Sequence, residues 1–513
     1  MDSPSPETAQ AIRAVQPAMF ASALLITAAL YVLYHVGIGV YNLCFHPLAQ
    51  YPGPLLCRAS SLWYARSLSR GRIAQDTLAL HDRYGPVVRI APDELSYINP
   101  ENWKEIYALK PGKGELIKDP RYHDTVKPTP TILTGDWDEH SKYRKMLSPT
   151  FSERTLKEQE YILHKYVDLF IERLHKVSDQ GKKPVDMTAW WNYLTFDIIG
   201  FLAYGESFNC LTESRLHDWI EALLDIAVLM SLGQAARHFP APFDKIYKKL
   251  IIPASVRRNA QLHRDLTEEK LRRRLEKEPG HQDVIKRMVA SYKTGEVPYP
   301  VLKEHAGILT IGGSETTATL LAGATFYLAT NPAVFRKLAD EVRARFDRGE
   351  DITVAGTHEC PYLVACVEEA LRIYPPSPAN HTRITPPEGI VLDGRYVPGG
   401  FAVGMPMYAC FRSAANFRNP AAFAPERWLP AAQADGAEYA DDRRNALQPF
   451  SVGPRNCLGR ALAYQEMRCA LAKLVWHFDL ELRPESKDWT DQKNYTFWVK
   501  PELWVKLTPA RKN

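Results

Sequence analysis

The chain has 513 residues, of which 45% are hydrophobic and 24% charged, a composition that is ordinary for a globular protein. Its formal net charge of +5 is small for this length, and its densest basic run, KLRRRLEK, is interrupted and flanked by glutamates, which argues against a nucleic-acid-binding protein. The eight cysteines are scattered without a C-x-x-C pair, which argues against zinc proteins, iron–sulfur proteins and disulfide-framework proteins.

An apolar segment near the N-terminus is the first predicted element. Residues 18–41 contain no Asp, Glu, Lys or Arg, and 24 residues are enough for one transmembrane helix. A secretory signal would be shorter, and a buried core helix is the alternative. The tail of residues 1–17 has two acids and one arginine, whereas several arginines follow the span, which favours a cytosolic location for the larger part. We therefore expect a single-pass membrane anchor.

The segment after this anchor, residues 42–56, is predicted to be a stiff connector, because FHPLAQYPGP holds three prolines and a glycine in ten residues. Residues 57–513 then combine long segments of helical periodicity with short β-like runs. We expect a hairpin of two short strands over 86–99, and helices over 156–177, 189–204, 305–329 and 458–477. The body is predicted to be one mainly α domain with a minor β part.

The third of these helices contains HAGILTIGGSETTATLLAG, with two adjacent glycines in mid-helix. Gly312 and Gly313 each cost roughly 1 kcal/mol relative to alanine, which indicates a flat ligand close to the backbone or a local kink. Glu315 and Thr316 follow at once, and an acid beside an alcohol at a helix distortion is suited to proton relay. The alternative is a helix–helix crossing through small residues, with Glu315 on a solvated face.

Two further signatures contain charged residues. In VEEALRIYPP, Glu369 and Arg372 are three residues apart and share a helix face, so they can form an ion pair. Most such pairs are exposed and contribute only about 0.2–0.5 kcal/mol, and an exposed pair is the alternative here. Downstream, FAPERW places Arg427 in a proline-marked loop.

The most specific signature is PFSVGPRNCLGRALAYQEMR, where Cys457 lies in a Gly/Pro-rich loop just before a predicted helix. Free N–H groups and the positive end of a helix dipole stabilise a thiolate at such a position, and Arg455 adds a nearby positive charge. The sulfur is therefore predicted to act as an anionic ligand. The alternative is a nucleophilic cysteine, which needs a histidine base, and His477 is the nearest histidine in sequence.

Taken together, these signatures resemble those of the cytochrome P-450 family of haem-thiolate monooxygenases. FSVGPRNCLG fits the pattern F-x-x-G-x-R-x-C-x-G at every fixed position. GGSETT is similar to the oxygen-activating helix of that family, Glu369-x-x-Arg372 to its charged pair, and PERW to the source of its partner arginine, Arg427. The order and spacing match, and the resemblance extends from the anchor to the C-terminus.

The resemblance implies the mainly α cytochrome P-450 fold with heme b as cofactor. Cys457 would be the axial thiolate of the haem iron, which favours O–O cleavage. Phe450 would cover the thiolate side of the porphyrin, and Gly453 and Gly459 would let backbone N–H groups approach the sulfur. Gly312 and Gly313 would lie against the cofactor, with Thr316 and Glu315 delivering protons to O2. The triad of Glu369, Arg372 and Arg427 would retain the haem through the fold.

The resemblance also implies cationic partners for the haem propionates. These would be His140 and Arg144 of DEHSKYRKML, Arg383 of NHTRITPPEG, and Arg455 of the cysteine loop. One departure concerns Trp137: some members have an arginine four residues after the tryptophan, whereas this chain has Ser141 there. A propionate contact from Trp137 is therefore not predicted.

Electrons are expected from a separate partner, because no G-x-G-x-x-G unit or flavin domain follows the haem domain. By resemblance this partner is an NADPH-cytochrome P-450 reductase with an acidic face, and the protein would lie in the endoplasmic reticulum membrane with its catalytic domain in the cytosol. A basic complement to that face could come from four residues, with ordinary surface charge as the alternative: Lys142, Lys145, Arg460 and Arg468.

The substrate is predicted only by class. FHPLAQYPGP, YGPVVRIAPDELSYIN and WVKPELWVKL are similar to filamentous-fungal members that oxidise small lipophilic metabolites. Where many have Leu-Pro-Arg, this chain has His381-Thr382-Arg383, so polar Asn380 and His381 could contact a hydrogen-bonding substrate or could be exposed. We expect a monooxygenase of secondary metabolism. The alternatives are a detoxifying or catabolic monooxygenase, a non-oxygenating haem isomerase, and a haem-free scaffold.

Overall fold

The computed structural model describes residues 6–110, 112, 114–122, 129–215, 218–277 and 283–510. Helices make up most of this part of the chain. In chain order they are α1 Pro6–Cys44, α2 Leu55–Ala59, α3 Leu62–Ser69, α4 Ile73–Tyr84, α5 Asn102–Tyr107, α6 Trp137–Leu147, α7 Glu153–Glu158, α8 Glu160–Ser178, α9 Met187–Tyr204, α10 Cys210–Glu213, α11 Asp218–Ala236, α12 Phe243–Ile251, α13 Ala254–Glu276, α14 Lys286–Lys293, α15 Tyr299–Thr330, α16 Pro332–Arg345, α17 Val354–His358, α18 Pro361–Ile373, α19 Met407–Arg412 and α20 Arg460–His477.

The strands of the described residues are short and form four small sheets. They are β1 Val87–Ala91, β2 Glu94–Tyr97, β3 Ile117–Lys118, β4 Val185–Asp186, β5 Arg383–Ile384, β6 Ile390–Leu392, β7 Arg395–Val397, β8 Ala402–Gly404, β9 Phe478–Leu482, β10 Asn494–Tyr495, β11 Phe497–Trp498 and β12 Trp504–Pro509. The largest sheet has the order β1-β2-β8-β5-β3, with β2 and β8 parallel and the other pairs antiparallel. Its β3–β5 pair aligns Lys118 with Arg383.

The core is organised around α15, a 32-residue helix. It packs against α9 along much of its length and also against α13, α18 and α20. Most of the buried residues of α15 are small or apolar and recur over several turns, as expected for a central helix rather than an amphipathic surface helix. This arrangement places the GGSETT turn between α9 and α20.

The predicted elements are largely confirmed. The hairpin over 86–99 forms as β1 and β2, and the helices over 189–204, 305–329 and 458–477 form as α9, α15 and α20. The helix predicted over 156–177 is divided, because Gln159, with φ −100° and ψ 0°, ends α7 and precedes α8. The predicted anchor lies within α1, where Met19–Cys44 is long and apolar enough to cross a membrane and is not buried by other elements.

Candidate active site

The cysteine loop ends where α20 begins, and backbone hydrogen bonds hold Cys457 in place. The N–H of Cys457 donates to the carbonyl of Phe450 at 2.9 Å, and the N–H of Gly459 hydrogen-bonds the sulfur. Burial raises the pKa of the thiol, whereas the Gly459 N–H and the charges of Arg144 and Arg460 oppose that rise. Cys457 nonetheless has solvent-accessible surface. Protein therefore surrounds the sulfur but leaves one face accessible. This environment suits a thiolate that binds a group on that face.

Gly453 makes a close turn in this loop. Its φ of 80° lies in the left-handed region, and a Cβ there would come within 2.0 Å of the carbonyl oxygen of Tyr107. Gly453 therefore serves the contact between the loop and the end of α5. Gly453 and Gly459 were both expected to bring an N–H close to the sulfur, and the N–H that hydrogen-bonds it is that of Gly459. Phe450 packs its ring 5.0 Å from the ring of Tyr464 on α20.

The helix that follows the cysteine loop packs against α15. Glu466 of α20 contacts the hydroxyl of Thr317, so the helix that follows Cys457 touches α15 one residue from Thr316. A Cβ added at Gly312 would meet no protein atom within 4 Å, whereas one at Gly313 would lie 2.5 Å from Ile199 Cδ1 of α9. Gly312 thus faces open space, as a flat ligand requires. Gly313 instead belongs to a helix–helix crossing, so the expected contact of Gly313 with the cofactor is not supported.

Thr316 and Glu315 lie on different sides of α15. The hydroxyl of Thr316, which is partly exposed, donates to the carbonyl of Gly312 at 2.8 Å. The carboxylate of Glu315 is buried, accepts from the Thr319 hydroxyl at 3.0 Å and contacts the ammonium of Lys500. A solvated face for Glu315 is therefore wrong. Lys500 was not predicted, since an isolated lysine in the C-terminal segment carries no sequence signal for a contact 185 residues away.

Two of the predicted cations lie in one region beside β3 and β5. Arg455 pairs with Glu115, with Nη2–Oε1 at 2.6 Å, and donates to the carbonyl of Gly135 at 3.0 Å. Arg383 lies with its guanidinium 5.1 Å from the ring centroid of Tyr107 and donates through Nη1 to backbone carbonyls. Both cations are largely buried, which favours an anionic partner.

Lys118 and His140 complete this cluster. Lys118 contacts the carbonyl of Leu133, and burial, together with the nearby charges of Arg455 and Arg383, lowers the pKa of Lys118 to about 7. Lys118 was not predicted, because a two-residue strand leaves no recognisable pattern. His140 has its ring nitrogens 2.9 Å and 3.2 Å from the carbonyls of residues 132 and 454, and burial lowers the pKa of the imidazole.

The charges of this cluster fit a haem. Lys118, Arg383 and Arg455 supply up to three positive charges against the single carboxylate of Glu115, and their charges act on one another. Excess positive charge in a largely buried region is the complement of two carboxylates, such as the propionates of a haem. The accessible sulfur of the cysteine loop and the bare backbone at Gly312 of α15 agree with a flat group between them.

Arg144 is separate from this cluster. It donates to the carbonyl and the side-chain oxygen of Asn456 at 2.7 Å and 2.5 Å, and so fixes the residue before Cys457. Trp137, the first residue of α6, is 41% exposed. His477 lies at the far end of α20 and contacts His175 at 3.1 Å, so it is not placed to serve as the base of a nucleophilic Cys457.

The predicted triad is fully buried, so the exposed-pair alternative is wrong. Arg372 donates to both carboxylate oxygens of Glu369 at 2.8 Å, and Arg427 donates to the same carboxylate at 3.2 Å. Trp428 also donates to Glu369, at 2.9 Å, and Asp442 pairs with Arg427. All four charged side chains have at most 1% of their surface exposed. The cluster joins α18 to the loop that leads to Cys457.

Asn380 and His381, the two polar residues considered as substrate contacts, differ in burial and in their partners. The amide of Asn380 is buried, donates to the Glu94 carboxylate at 3.3 Å and would be 2.1 Å from a Cβ at Gly404, so it serves the sheet. His381 is partly exposed, with its ring edge-on to that of Tyr122 at 5.4 Å. Burial and nearby positive charge lower the pKa of His381 to about 3, so this imidazole is neutral.

Comparison with known proteins identifies the family. The cytochrome P450 family model matches residues 50–506. The chain belongs to the cytochrome P450 family. It is 63% identical over 487 residues to cytochrome P450 monooxygenase hepD of Aspergillus oryzae (strain ATCC 42149 / RIB 40), covering 94% of each chain. It is 40% identical to cytochrome P450 monooxygenase cpaH of Aspergillus oryzae, covering 93% of this chain and 92% of cpaH. It is 41% identical to averantin hydroxylase of Dothistroma septosporum (strain NZE10 / CBS 128990), covering 91% of this chain and 88% of the hydroxylase.

This cytochrome P450 is therefore a haem monooxygenase of the fungal secondary-metabolism type, with a redox partner and a small substrate as in the family generally. The four basic residues considered for partner docking have different exposures in the structure. Lys142, Lys145 and Arg460 are exposed, whereas Arg468 is partly buried above the ring of Tyr464. The first three could contact a partner directly, and Arg468 is held within the fold.

Proposed function

We propose that this cytochrome P450 inserts oxygen into a small lipophilic metabolite, using heme b, O2 and electrons from NADPH through a separate reductase. The observation that carries the proposal is the accessible sulfur of Cys457, hydrogen-bonded by the Gly459 N–H at the start of α20, the helix that packs against α15. Gly312 of α15 leaves open space beside its backbone. Haem iron bound to a cysteine thiolate activates molecular oxygen. A relative named averantin hydroxylase supports hydroxylation as the type of reaction.

Each part of the site has a task in this proposal. Cys457 is the iron ligand, and Arg383, Arg455, Lys118 and His140 would hold the propionates. Gly312 leaves room for a flat group, and the Thr316 hydroxyl holds a proton on the same face of α15. These tasks follow from the charge of the cluster and from the accessible face of the sulfur.

The proposal also includes a location, for which α1 is the support. We propose that Met19–Cys44 spans the endoplasmic reticulum membrane once and that the catalytic domain faces the cytosol. An 18-residue stretch within this span has a mean hydropathy of 1.9 and is not buried by the rest of the protein, and most side chains of the span are exposed. A reductase partner in the same membrane would then reach the exposed Lys142, Lys145 and Arg460.

The test replaces Cys457 by alanine in the source strain and compares extracted metabolites. We expect a compound to accumulate that lacks one oxygen or has two more hydrogens than the product of the unchanged strain, and this compound is the substrate. Unchanged metabolites would overturn a biosynthetic role and favour detoxification or catabolism. Cys469→Ala is the matched control, because Cys469 is a buried cysteine of α20.

A spectroscopic test of the purified protein addresses the ligand itself. The reduced protein with carbon monoxide should show the strongly red-shifted Soret band of a thiolate-bound haem. Cys457→Ser should lose this band and Cys469→Ala should keep it. A band that survives in Cys457→Ser would contradict the assignment of the iron ligand.

A further inference from the structure

We propose that Lys500 is a positioning residue for proton supply, acting through Glu315 where the C-terminal segment contacts α15. The proposal rests on the proposed function, because it concerns the protons that oxygen chemistry at this site consumes. Lys500 lies between β11 and β12, far in sequence from every other residue considered for the reaction. Its ammonium group nevertheless contacts the acid next to Thr316.

The contact is a closed triangle of polar groups. Lys500 Nζ contacts Glu315 Oε1 and donates to Thr319 Oγ1 at 2.7 Å, and the Thr319 hydroxyl donates to Glu315 Oε1 at 3.0 Å. The side chains of Lys500 and Glu315 are only 2% and 4% exposed. When an ion pair is buried to this extent, the free energy lost on removing both charges from water can exceed the free energy gained from their attraction. Such a pair is therefore weak evidence for a purely stabilising role.

The backbone around Lys500 is fixed on both sides. Two residues earlier, the indole of Trp498 donates to the carbonyl of Pro375 at 2.8 Å and stacks on the ring of Tyr374 at 5.3 Å. Trp504 follows at the start of β12, which pairs with β4 and β9. The ammonium is therefore held at a defined position against α15.

This position determines where the carboxylate of Glu315 lies. Adjacent residues of a helix point about 100° apart, and the Thr316 hydroxyl is turned back to the carbonyl of Gly312 while Glu315 is turned to Lys500. The ammonium and the Thr319 hydroxyl together hold the Glu315 carboxylate in one orientation next to Thr316, and an acid fixed in this way is suited to exchanging protons with water. Without the ammonium, the Glu315 side chain loses the charged contact that fixes this orientation.

The experiment uses the full-length protein with its reductase in lipid vesicles, with NADPH and O2 as the only substrates. The NADPH oxidation rate is measured in H2O and in D2O. Lys500→Met should slow NADPH oxidation about tenfold, as the loss of a group that orients a reacting group commonly does, and should increase the ratio of the rates in H2O and D2O. Lys500→Arg should restore most of the rate, because it keeps the positive charge.

A second set of variants separates a specific role from a structural one. If Lys500 acts through Glu315, the double variant Lys500→Met/Glu315→Gln should be no slower than Glu315→Gln alone. This double variant also removes both buried charges, so it tests the proposal even where Lys500→Met fails to fold. Lys473→Met is the matched control: Lys473 is 1% exposed and pairs with Asp168 between α20 and α8, and its loss should leave the rate and the isotope ratio unchanged.

The outcomes distinguish this inference from the proposed function. The reduced, carbon-monoxide-bound spectrum of every variant is recorded first. A red-shifted Soret band with an unchanged rate in Lys500→Met, or effects that multiply in the double variant, would overturn the role of Lys500 while the haem-thiolate function stands. Absence of that band from the unsubstituted protein would overturn the proposed function itself.

Discussion

At the scale of single residues, Glu466 is a buried acid of α20 that contacts Thr317 of α15. It is 3% exposed on α20, and burial raises its pKa from the ordinary value of 4.5 to about 8, although its contact with Thr317 opposes the rise. At pH 7 the folded protein therefore holds this proton, whereas the unfolded chain has released it. Glu466 thus links the free energy of unfolding to pH.

Glu466→Gln should remove this dependence. In the unsubstituted protein the stabilisation from the proton is present below pH 4.5 and is lost as the pH rises to about 8. Between pH 5 and pH 8 the unsubstituted protein should therefore lose about 3 kcal/mol more stability than the variant. Urea unfolding followed by tryptophan fluorescence at several pH values measures the difference. The same slope in both proteins would contradict a protonated Glu466, and Glu481→Gln, at an exposed acid, is the control.

At the scale of elements, the sequence predicts those that are long and periodic. The boundaries of α9 and α20 are predicted to within two residues and those of α15 to within six, because their apolar residues recur with helical spacing over many turns. β3 and β5 are two residues long and are defined by their pairing with each other and with β8. No local pattern marks such strands, so the alignment of Lys118 with Arg383 could not be predicted.

The turn at Gly453 can be tested by a pair of glycine substitutions. Gly453 and Gly400 have similar positive φ values, 80° and 85°, but a Cβ at Gly400 would meet no atom within 4 Å. Gly453→Ala should therefore cost about 2 kcal/mol more than Gly400→Ala, because only the former also clashes with the backbone of Tyr107. Thermal or urea unfolding measures both. Equal losses would show that φ alone determines the cost.

The triad makes a similar prediction for the junction between α18 and the loop before Cys457. Arg427→Ala leaves the carboxylates of Glu369 and Asp442 buried without this cation, and should cost about 3–5 kcal/mol and reduce haem content. Arg345→Ala is the control, because Arg345 pairs with Glu359 at the surface and its loss should cost at most about 1 kcal/mol. Haem absorbance per protein and urea unfolding are the measurements. A stable, haem-replete Arg427→Ala protein would contradict the prediction.

At the scale of the whole molecule, the sequence predicts which residues have a functional or structural role better than it predicts which residues they contact. Cys457, Glu369, Arg372 and Arg427 carry local signatures, and the structure places the last three in one buried cluster. Partners such as Asp442, Glu115 and Lys500 carry none, because their positions are set by how distant segments pack. The same packing gives Arg144 different contacts from Arg383, and it gives Gly313 different surroundings from its neighbour Gly312.

A second exposed apolar surface, next to the candidate span, also emerges only from the whole molecule. α12 presents an exposed apolar face of four residues, Phe243, Ile246, Leu250 and Ile251. This face lies beside the candidate span, since the rings of Tyr31 and Phe243 are 5.3 Å apart. Lysines occupy other positions of the same helix. We predict that α12 lies at the surface of a bilayer with its apolar side inserted, because helices with one apolar and one basic face bind membranes in this way.

Removal of residues 1–40 should therefore weaken but not abolish membrane binding, because α12 remains. In that shortened protein, Leu250→Glu should reduce binding to phosphatidylcholine vesicles about tenfold or more, since burying a leucine side chain contributes about 1.5–3 kcal/mol and each 1.4 kcal/mol is a factor of ten. Tyr161→Glu, at an exposed aromatic residue of α8, is the control and should leave binding unchanged. Sedimentation with vesicles measures the bound fraction. If the shortened protein remains fully in solution, α1 alone holds the enzyme at the membrane, and the apolar face of α12 needs another partner.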